Sequence, residues 1–514
     1  MPPQIRLAEL LAALSLGVDL GFGQPMEHVL RQCVLALRIA EKARLDDEQK
    51  AVVYYTALIV NVGCHVDAHE QAKWFGDDIA LKATKYDHEQ RSALGAAAAL
   101  RLIGAGNPPL HRLRIGVEFA LFGHRDLDGM IARHAALAGL LAEQLGLPPA
   151  VQEAVAASYE RWDGRGWPGA LKGEQVPIAS RLAQFAEYVE VANRLGGVPA
   201  AVDLAKDRAG SQFDPDLCTL FCAHADEILH EAETISTWDS VIAAEPALGI
   251  RLTHDQFEQS LRAVATFVDL KSPYMLGHAA AVEELVALAG ERAALSDAER
   301  QTLKGAGLIH GLGRLGISNA IWDKKGPLGA GEWERVRLHP YLTERMLNQS
   351  AFLAPLAAVA VQLRERLDGS GYPRGLAGGA ISVSGRILGA ADAYQSMREP
   401  RPHRPALTAE EAAAQLRAEV KTGRLDGGAV DEVLAAAGHR VARRRAAVAG
   451  LTSREVEVLR LLARGMSSRE IAARLVISHK TARNHIEHIY TKVGASGRVS
   501  ASLFAMQHGL LPVD

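Results

Sequence analysis

The sequence predicts an all-α protein, built as two tandem helical modules followed by a four-helix domain that contains a helix-turn-helix. Three observations predict it. Apolar residues recur at helical spacing through most of the chain, among alanine-rich helix formers, and runs of strand alternation are hard to find. A long segment occurs twice at a fixed offset. The segment 451–511 carries the start and stop residues of four short helices.

Length and composition set the frame. At 514 residues the chain exceeds one hydrophobic core and predicts about two to four domains. With 48% hydrophobic and 23% charged residues, and no apolar run of membrane-spanning length, it reads as a soluble protein. The N-terminal MPPQIRLAELLAAL carries Arg6 and Glu9 within its apolar pattern, so it reads as an amphipathic helix, not a signal peptide. Cys33, Cys64, Cys218 and Cys222 have no framework spacing, which suits a reducing cytoplasm. Cys218 and Cys222 share a helix face and are expected to be buried thiols.

The body repeats. ERWDGRGWPGALKGEQVPIASRLAQFAEY from residue 160 returns as ERLDGSGYPRGLAGGAISVSGRILGAADAY from residue 365, an offset of 205 that pairs Asp163 with Asp368, Pro168 with Pro373 and His134 with His339. Upstream the offset becomes 250: His28 pairs with His278, and residues 60–63 with 310–313. The first copy therefore holds a 45-residue insertion between Gly63 and His134. Expected bounds are 1–250 for the first module, 251–439 for the second, 440–450 for a basic linker and 451–514 for the last domain. Helices at 26–43, 131–145, 279–294 and 409–420 follow from periodicity. The DGxGxP stretch in each copy reads as a tight turn.

From about 270 to 438 the second copy resembles the HD-GYP branch of the HD-domain phosphohydrolases. AGLIHGLGRLG stands for the HDIGK-type segment, DKKGPLGAGEWERVRLHP for the following loop, helix and His-Pro, ERLDGSGYPRGL for the signature, and RILGAADAY for a metal-binding helix. The resemblance implies His and Asp ligands around two or three metal ions and hydrolysis of cyclic dinucleotides, especially cyclic di-GMP, with the cations lowering a bridging water's pKa. Matching ligand positions keep His278, His310, His339 and Asp392. The Asp of the HD pair is Gly311, the paired histidines are Leu363 and Arg364, and the family lysine is Arg314. These losses weigh against a binuclear centre, whereas three His and one Asp suit a single divalent transition ion (iron, manganese or zinc). The first copy keeps His28 and His134 but has Val60–Asn61, Ser158–Tyr159 and Glu187 at the other ligand positions. Within the insertion His65 and His69, with Asp67, fit either a polar surface helix or an i,i+4 ligand pair.

In the last segment Thr452 with Glu455 and Ser467 with Glu470 form capping boxes. Gly465 and Gly494 sit at expected helix stops, and Ser478 and Ser496 at further N-caps. Helices at 467–475 and 478–493, joined by Val476 and Ile477, make a helix-turn-helix. Residues 440–514 hold 13 Lys and Arg against 5 Asp and Glu, a balance of +8, which leaves −11 on the first 439 residues of a chain of net −3. A basic tail on an acidic body is the footprint of a nucleic-acid-binding module. The segment resembles the C-terminal domain of LuxR/NarL-type regulators across its whole length. That resemblance places helix 478–493 in the major groove, with Lys480, Thr481, Arg483, Asn484, His485 and Glu487 facing DNA, and makes helix 498–507 a dimerising element. Arg483 suits a guanine edge and Asn484 an adenine, while Ile486, Ile489 and Tyr490 face the core. The expected whole is a cytoplasmic, homodimeric regulator of double-stranded DNA whose degenerate body senses a nucleotide, small molecule or partner, with no catalytic residue assigned. The alternative is a metal-dependent cyclic-dinucleotide phosphodiesterase with a DNA-binding tail.

Overall fold

The computed structural model describes residues 5–87, 93–230, 236–246, 249–441, 450–475, 477–508 and 510; at 93–96, 99, 123–129, 131–132 and 453 it describes the backbone alone. Within these the chain is helical, and strand is confined to one antiparallel pairing of Ile5–Arg6 with Arg251–Leu252. The chain forms two compact units, Met1–His439 and Arg440–Asp514. No single described helix is long and apolar enough to cross a membrane. Residues 442–449 of the expected linker, and Val476 of the expected turn, lie outside the described residues.

The repeat is a repeat of structure. His28–Lys42 and Asp47–Ile59 return 250 residues later as His278–Arg292 and Asp297–Ile309. Each second helix starts at a capping box, Asp46 with Gln49 and Ser296 with Glu299, so the same orphan amides are closed at the same register. At offset 205, the helix from Ile178 returns as the helix from Val383. The close approaches repeat too. A Cβ on Gly63 would lie 2.2 Å from the His134 carbonyl oxygen, and one on Gly313 2.0 Å from that of His339. Only glycine fits where each of these 3₁₀ turns passes a histidine-bearing helix.

The DGxGxP stretches are turns held from within. Glu160 accepts the amides of Gly169, Ala170 and Leu171, and Glu365 those of Arg374 and Leu376. Trp167–Pro168 and Tyr372–Pro373 are both cis. A Cβ on Gly166 or Gly371 would sit within 2.5 Å of backbone, which fixes glycine at both positions.

One core cluster runs across both modules. The helix Leu7–Gly21 is buried on nearly every side, against its own module and against Leu312–Gly316 and His339–Leu347 of the second. The sequence predicts an amphipathic helix here, and the structure buries both of its faces. Arg6 is drawn into an ion pair with Glu245, and Glu9 accepts the hydroxyl of Ser350, so both charged groups find partners within the body. Gly17 lets the helix approach Leu312, Leu315 and Met346. Cys218 is buried as expected, and Cys222 is only half-buried.

The insertion braces the second module. Asp78 is fully buried, with Oδ2 3.1 Å from Lys82 Nζ and 3.3 Å from Lys271 Nζ, and Oδ1 accepting the Ser318 hydroxyl and the Asn319 amide. Burial opposes its charge, yet Lys271, Lys82 and the two hydrogen bonds hold the carboxyl well below the usual range. A depressed folded pKa contributes stability above the unfolded value of about 4 and loses it as the pH falls. Asp78→Ala is expected to cost about 3–5 kcal/mol by stranding Lys271. In thermal melts, the gap between the parent and Asp78→Asn narrows as the pH drops below about 4.

Candidate functional site

The second module gathers His278, His310 and Asp392 at its centre, with one ligand-capable atom from each lying within 4.8 Å of the others. Helix geometry puts them there: His278 opens its helix, His310 caps the end of the next, and Asp392 lies midway along Val383–Arg398. His278 Nε2 is 3.2 Å and His310 Nε2 3.7 Å from Asp392 Oδ1. His310 Nδ1 faces the Gly307 carbonyl at 2.7 Å, and His339 Nδ1 that of Val336 at 2.6 Å. Each Nδ1–H therefore donates to backbone, and each Nε2 is left buried without a hydrogen-bond partner among the described residues. Burial and then Arg314 keep both rings neutral, His310 well below the usual value and His339 at about 3. His339, expected as a fourth ligand, stands outside the three-residue group and packs edge-on against Trp322 and Tyr372.

Two guanidinium groups share the carboxylate. Arg364 lies 2.9 Å from Asp392 Oδ2, and Arg314 3.6 Å from Oδ1. Although burial opposes charge on Asp392, Arg364 and then His278 hold it well below the usual range. The donor set fits one divalent ion, held by His278, His310 and Asp392 with second-sphere support from Glu399 at His278 Nδ1. It does not fit a second: Gly311 has no carboxylate, and Arg364 brings a positive charge to Asp392.

Beside this group opens a cavity of about 540 Å³. Arg314, Arg364 and His339 line it, whereas His278, His310 and Asp392 do not. Its walls carry seven Lys and Arg against two Asp, together with Tyr274, Trp322, Trp333 and Tyr372. Arg401 and Arg404 come from the loop after Val383–Arg398, where Arg401 pairs with Glu399 at 2.8 Å. Sequence reasoning passed over that loop; its signal is the basic, proline-bracketed PRPHRP of residues 400–405.

The first module is closed at the equivalent place. Glu187, at the position of Asp392, takes Lys85 Nζ at 2.6 Å, the Tyr86 hydroxyl at 2.7 Å and the Asn61 amide at 3.0 Å. The Lys85 ammonium also lies 5.4–6.0 Å from the ring centroids of Phe22, Tyr86, Tyr159 and Tyr188. Burial works against both charges, but each partner keeps the other ionised, Lys85 above its usual value and Glu187 below. Only about 20 Å³ of space remains. His28 is held by Glu190 at 2.5 Å, and His134 lies 2.6 Å from Asp67, both as core residues. Against burial, which disfavours its charge, Cys64 and Asp67 raise His134 to about 9. The expected surface helix through His65 and His69 is corrected: His65 ends a 3₁₀ turn, buried, 2.9 Å from the Phe267 carbonyl, and His69 lies in the next helix, 2.8 Å from Asp323. The break before Ala68 removes the i,i+4 relation.

The last unit has its own core of Leu451, Val458, Leu459, Ile471, Ile489 and Ala501, among others. Its helices are Ser453–Ala463, Ser468–Leu475, His479–Val493 and Arg498–Gln507. The boxes at Thr452/Glu455 and Ser467/Glu470 are both made, and Ser478 accepts the Thr481 amide. Gly494 ends the third helix with φ 64°. The fourth helix begins at Gly497, not at Ser496, with the Ser500 hydroxyl closing the first turn. Lys480, Thr481, Arg483, Asn484 and Glu487 are exposed along one helix, and His485 is half-buried. Arg483 and Glu487 pair at 3.3 Å. Ile489 is buried, with Ile486 and Tyr490 packed against the core.

Helices that carry His278, His310 and Asp392 to one buried centre, in a helical module that the chain repeats, define an HD-domain protein. The HD-domain family model matches residues 79–217 and 262–428, more than half of the chain, and the chain belongs to that family. The model for bacterial regulatory proteins of the luxR family matches residues 449–505. Among curated relatives, the 3'3'-cGAMP-specific phosphodiesterase 3 of Vibrio cholerae serotype O1 is 29% identical over 420 residues, 81% of this chain and 91% of the relative. The cyclic di-GMP phosphodiesterase response regulator RpfG of Xanthomonas campestris pv. campestris is 33% identical over 156 residues, 30% of this chain and 41% of its own length. A crystal structure of the V. cholerae cyclic GMP-AMP specific phosphodiesterase V-cGAP3 superposes with a TM-score of 0.60 at 25% identity, covering 85% of this chain and 99% of that one.

The charge at Glu187 can be tested by removing its cation. Lys85→Met is expected to lower body stability by about 3–5 kcal/mol, because a buried carboxylate loses its partner. Adding Glu187→Gln is expected to recover most of that loss in thermal melts. Additive losses in the double variant would refute the pairing as a stabilising unit.

Proposed function

We propose that the chain is a transcription regulator whose last unit binds double-stranded DNA sequence-specifically, as a homodimer, and whose HD body binds an anionic nucleotide without cutting it. The observation that carries this reading is the cavity of the second module. Its walls are cationic and aromatic, suited to phosphate and to base stacking, and its lining leaves out the three candidate metal ligands. The relatives named for 3'3'-cGAMP and cyclic di-GMP support a cyclic dinucleotide as the ligand class.

For DNA, the reading assigns Lys480 and Thr481 to phosphates at the helix start, and Arg483, Asn484, His485 and Glu487 to the groove. Homodimerisation is supported by Val499, Leu503 and Met506, exposed by 83%, 54% and 65% on one face of the last helix. Mapping the DNA bound by the intact chain gives the cognate site. On that site Arg483→Ala is expected to lose about 1–3 kcal/mol of binding while non-specific affinity changes less. An unchanged mobility-shift titration would remove Arg483 from base readout.

A second reading, a metal-dependent phosphodiesterase, is favoured by one observation: the convergence of His278, His310 and Asp392. A bound divalent ion would supply Lewis-acid activation of water there. The two readings separate in one experiment, elemental analysis alongside cyclic-dinucleotide hydrolysis. The regulator reading expects no turnover with either dinucleotide, whatever the metal content. Turnover lost together with the metal in His310→Ala would establish the enzyme instead.

A further inference from the structure

Arg314 and Arg364 stand between the candidate ligand group and the cavity. Both touch Asp392, at 3.6 and 2.9 Å, and both line the cavity, while Asp392, His278 and His310 are completely buried behind them. A phosphate entering the cavity therefore meets guanidinium before it meets any His or Asp donor of that group. One carboxylate is shared by two cations, so the pair carries positive charge beyond what Asp392 neutralises.

The hydrogen bonding is incomplete in the same sense. Arg314 Nε, Arg364 Nε and Trp322 Nε1 are buried donors without a hydrogen-bond partner among the described residues, and all three residues line the cavity. Buried N–H groups are rarely left unpaired, because each costs the desolvation of a polar group with no return. Two guanidinium groups and an indole on one wall offer N–H donors, and phosphate oxygens are acceptors whose charge matches the guanidinium groups. Arg314 is flanked within the wall, its guanidinium 5.8 Å from the Trp322 ring and Nη1 near the Met275 sulfur. The donors are thus part of a built wall, not flexible surface side chains.

We propose that Arg364 and Arg314 form a phosphate clamp for a nucleotide ligand, and that this clamp works without a divalent ion. The proposal rests on the reading of the body as a nucleotide-binding module and names the groups that do the binding. Arg364 stands at a position where the resembling enzymes have a histidine ligand, so a protein cation replaces a metal-held one at the phosphate.

The test uses the intact chain, stripped with EDTA and verified metal-free, titrated calorimetrically with cyclic di-GMP and with 3'3'-cGAMP in EDTA and in Mn²⁺ buffer. The dissociation constants in the two buffers are expected to agree within about 3-fold, and Arg364→Ala to weaken binding at least about 10-fold in both. Because removing Arg364 also leaves Asp392 without its nearest cation, Arg364→Lys is measured beside it. The charge is kept and the planar fork lost, and binding is expected to fall between parent and alanine variant. Binding seen only with Mn²⁺, or an affinity unchanged in folded Arg364→Ala and Arg364→Lys proteins, overturns the clamp and leaves the nucleotide reading standing. No heat with either dinucleotide in either buffer overturns the nucleotide reading itself, and the clamp with it.

Discussion

A carboxylate buried at the centre of each HD module must be neutralised by a cation, and the rest of the body follows from where that cation comes from. Glu187 and Asp392 occupy equivalent positions, both nearly inaccessible to solvent. An isolated carboxylate in such a place is prohibitively expensive. In the first module the cation is Lys85, carried in by the insertion and ringed by four aromatic faces. In the second it is a pair of arginines from the module itself, with an imidazole pair behind them. The lysine fills its site, and about 20 Å³ remains; the arginines form one wall of a space of about 540 Å³. One module is thereby a scaffold and the other a receptacle.

The insertion ties these outcomes together. A few residues before Lys85 it supplies Asp78, whose carboxylate is held by Lys271, Ser318 and Asn319 of the second module. Lys271 and Asn319 also line the open cavity. The segment that closes the first site therefore shapes the rim of the second. The helix Leu7–Gly21 does similar work from the other side, packing against the loop Leu312–Gly316 that follows His310. One core cluster runs across both modules, and the body is one compact unit although its sequence repeats.

How much of this was legible depended on whether a residue had a counterpart in the repeat. The resemblance of the second copy to the HD-GYP phosphohydrolases marks His278, His310, Asp392 and the substitution by Arg364, and the offsets of 250 and 205 carry those positions to His28 and Glu187 in the first copy. The capping boxes of the tail were legible for a local reason: their partners are three residues apart, so sequence spacing is the geometry. Lys85 and Tyr86 were not legible, because they lie in the insertion and meet Glu187 only across about a hundred residues of chain. Periodicity misjudged Leu7–Gly21 for a related reason. Its apolar stripe predicted one buried face, and the second module covers the others. His65 and His69 had the spacing of a shared helix face, but spacing does not reveal that the helix stops between them.

The same kind of ion pair occurs in this chain at three depths, and depth decides what each can do. Lys85 and Glu187, 2.6 Å apart, have side-chain exposures of 12% and 3%, and their exchange for water or ligand would leave charge in a nearly dry site. Arg483 and Glu487, 3.3 Å apart on the recognition helix, are 72% and 62% exposed, so water competes freely and the pair holds little energy. Such a pair restrains Arg483 only weakly. Arg364 and Asp392 lie between these limits, with the arginine 23% exposed and the carboxylate wholly buried. The carboxylate cannot leave, yet the guanidinium reaches the cavity and retains an unpartnered donor. A fixed anion beside a cation that still borders open space is the arrangement on which the proposed phosphate clamp rests.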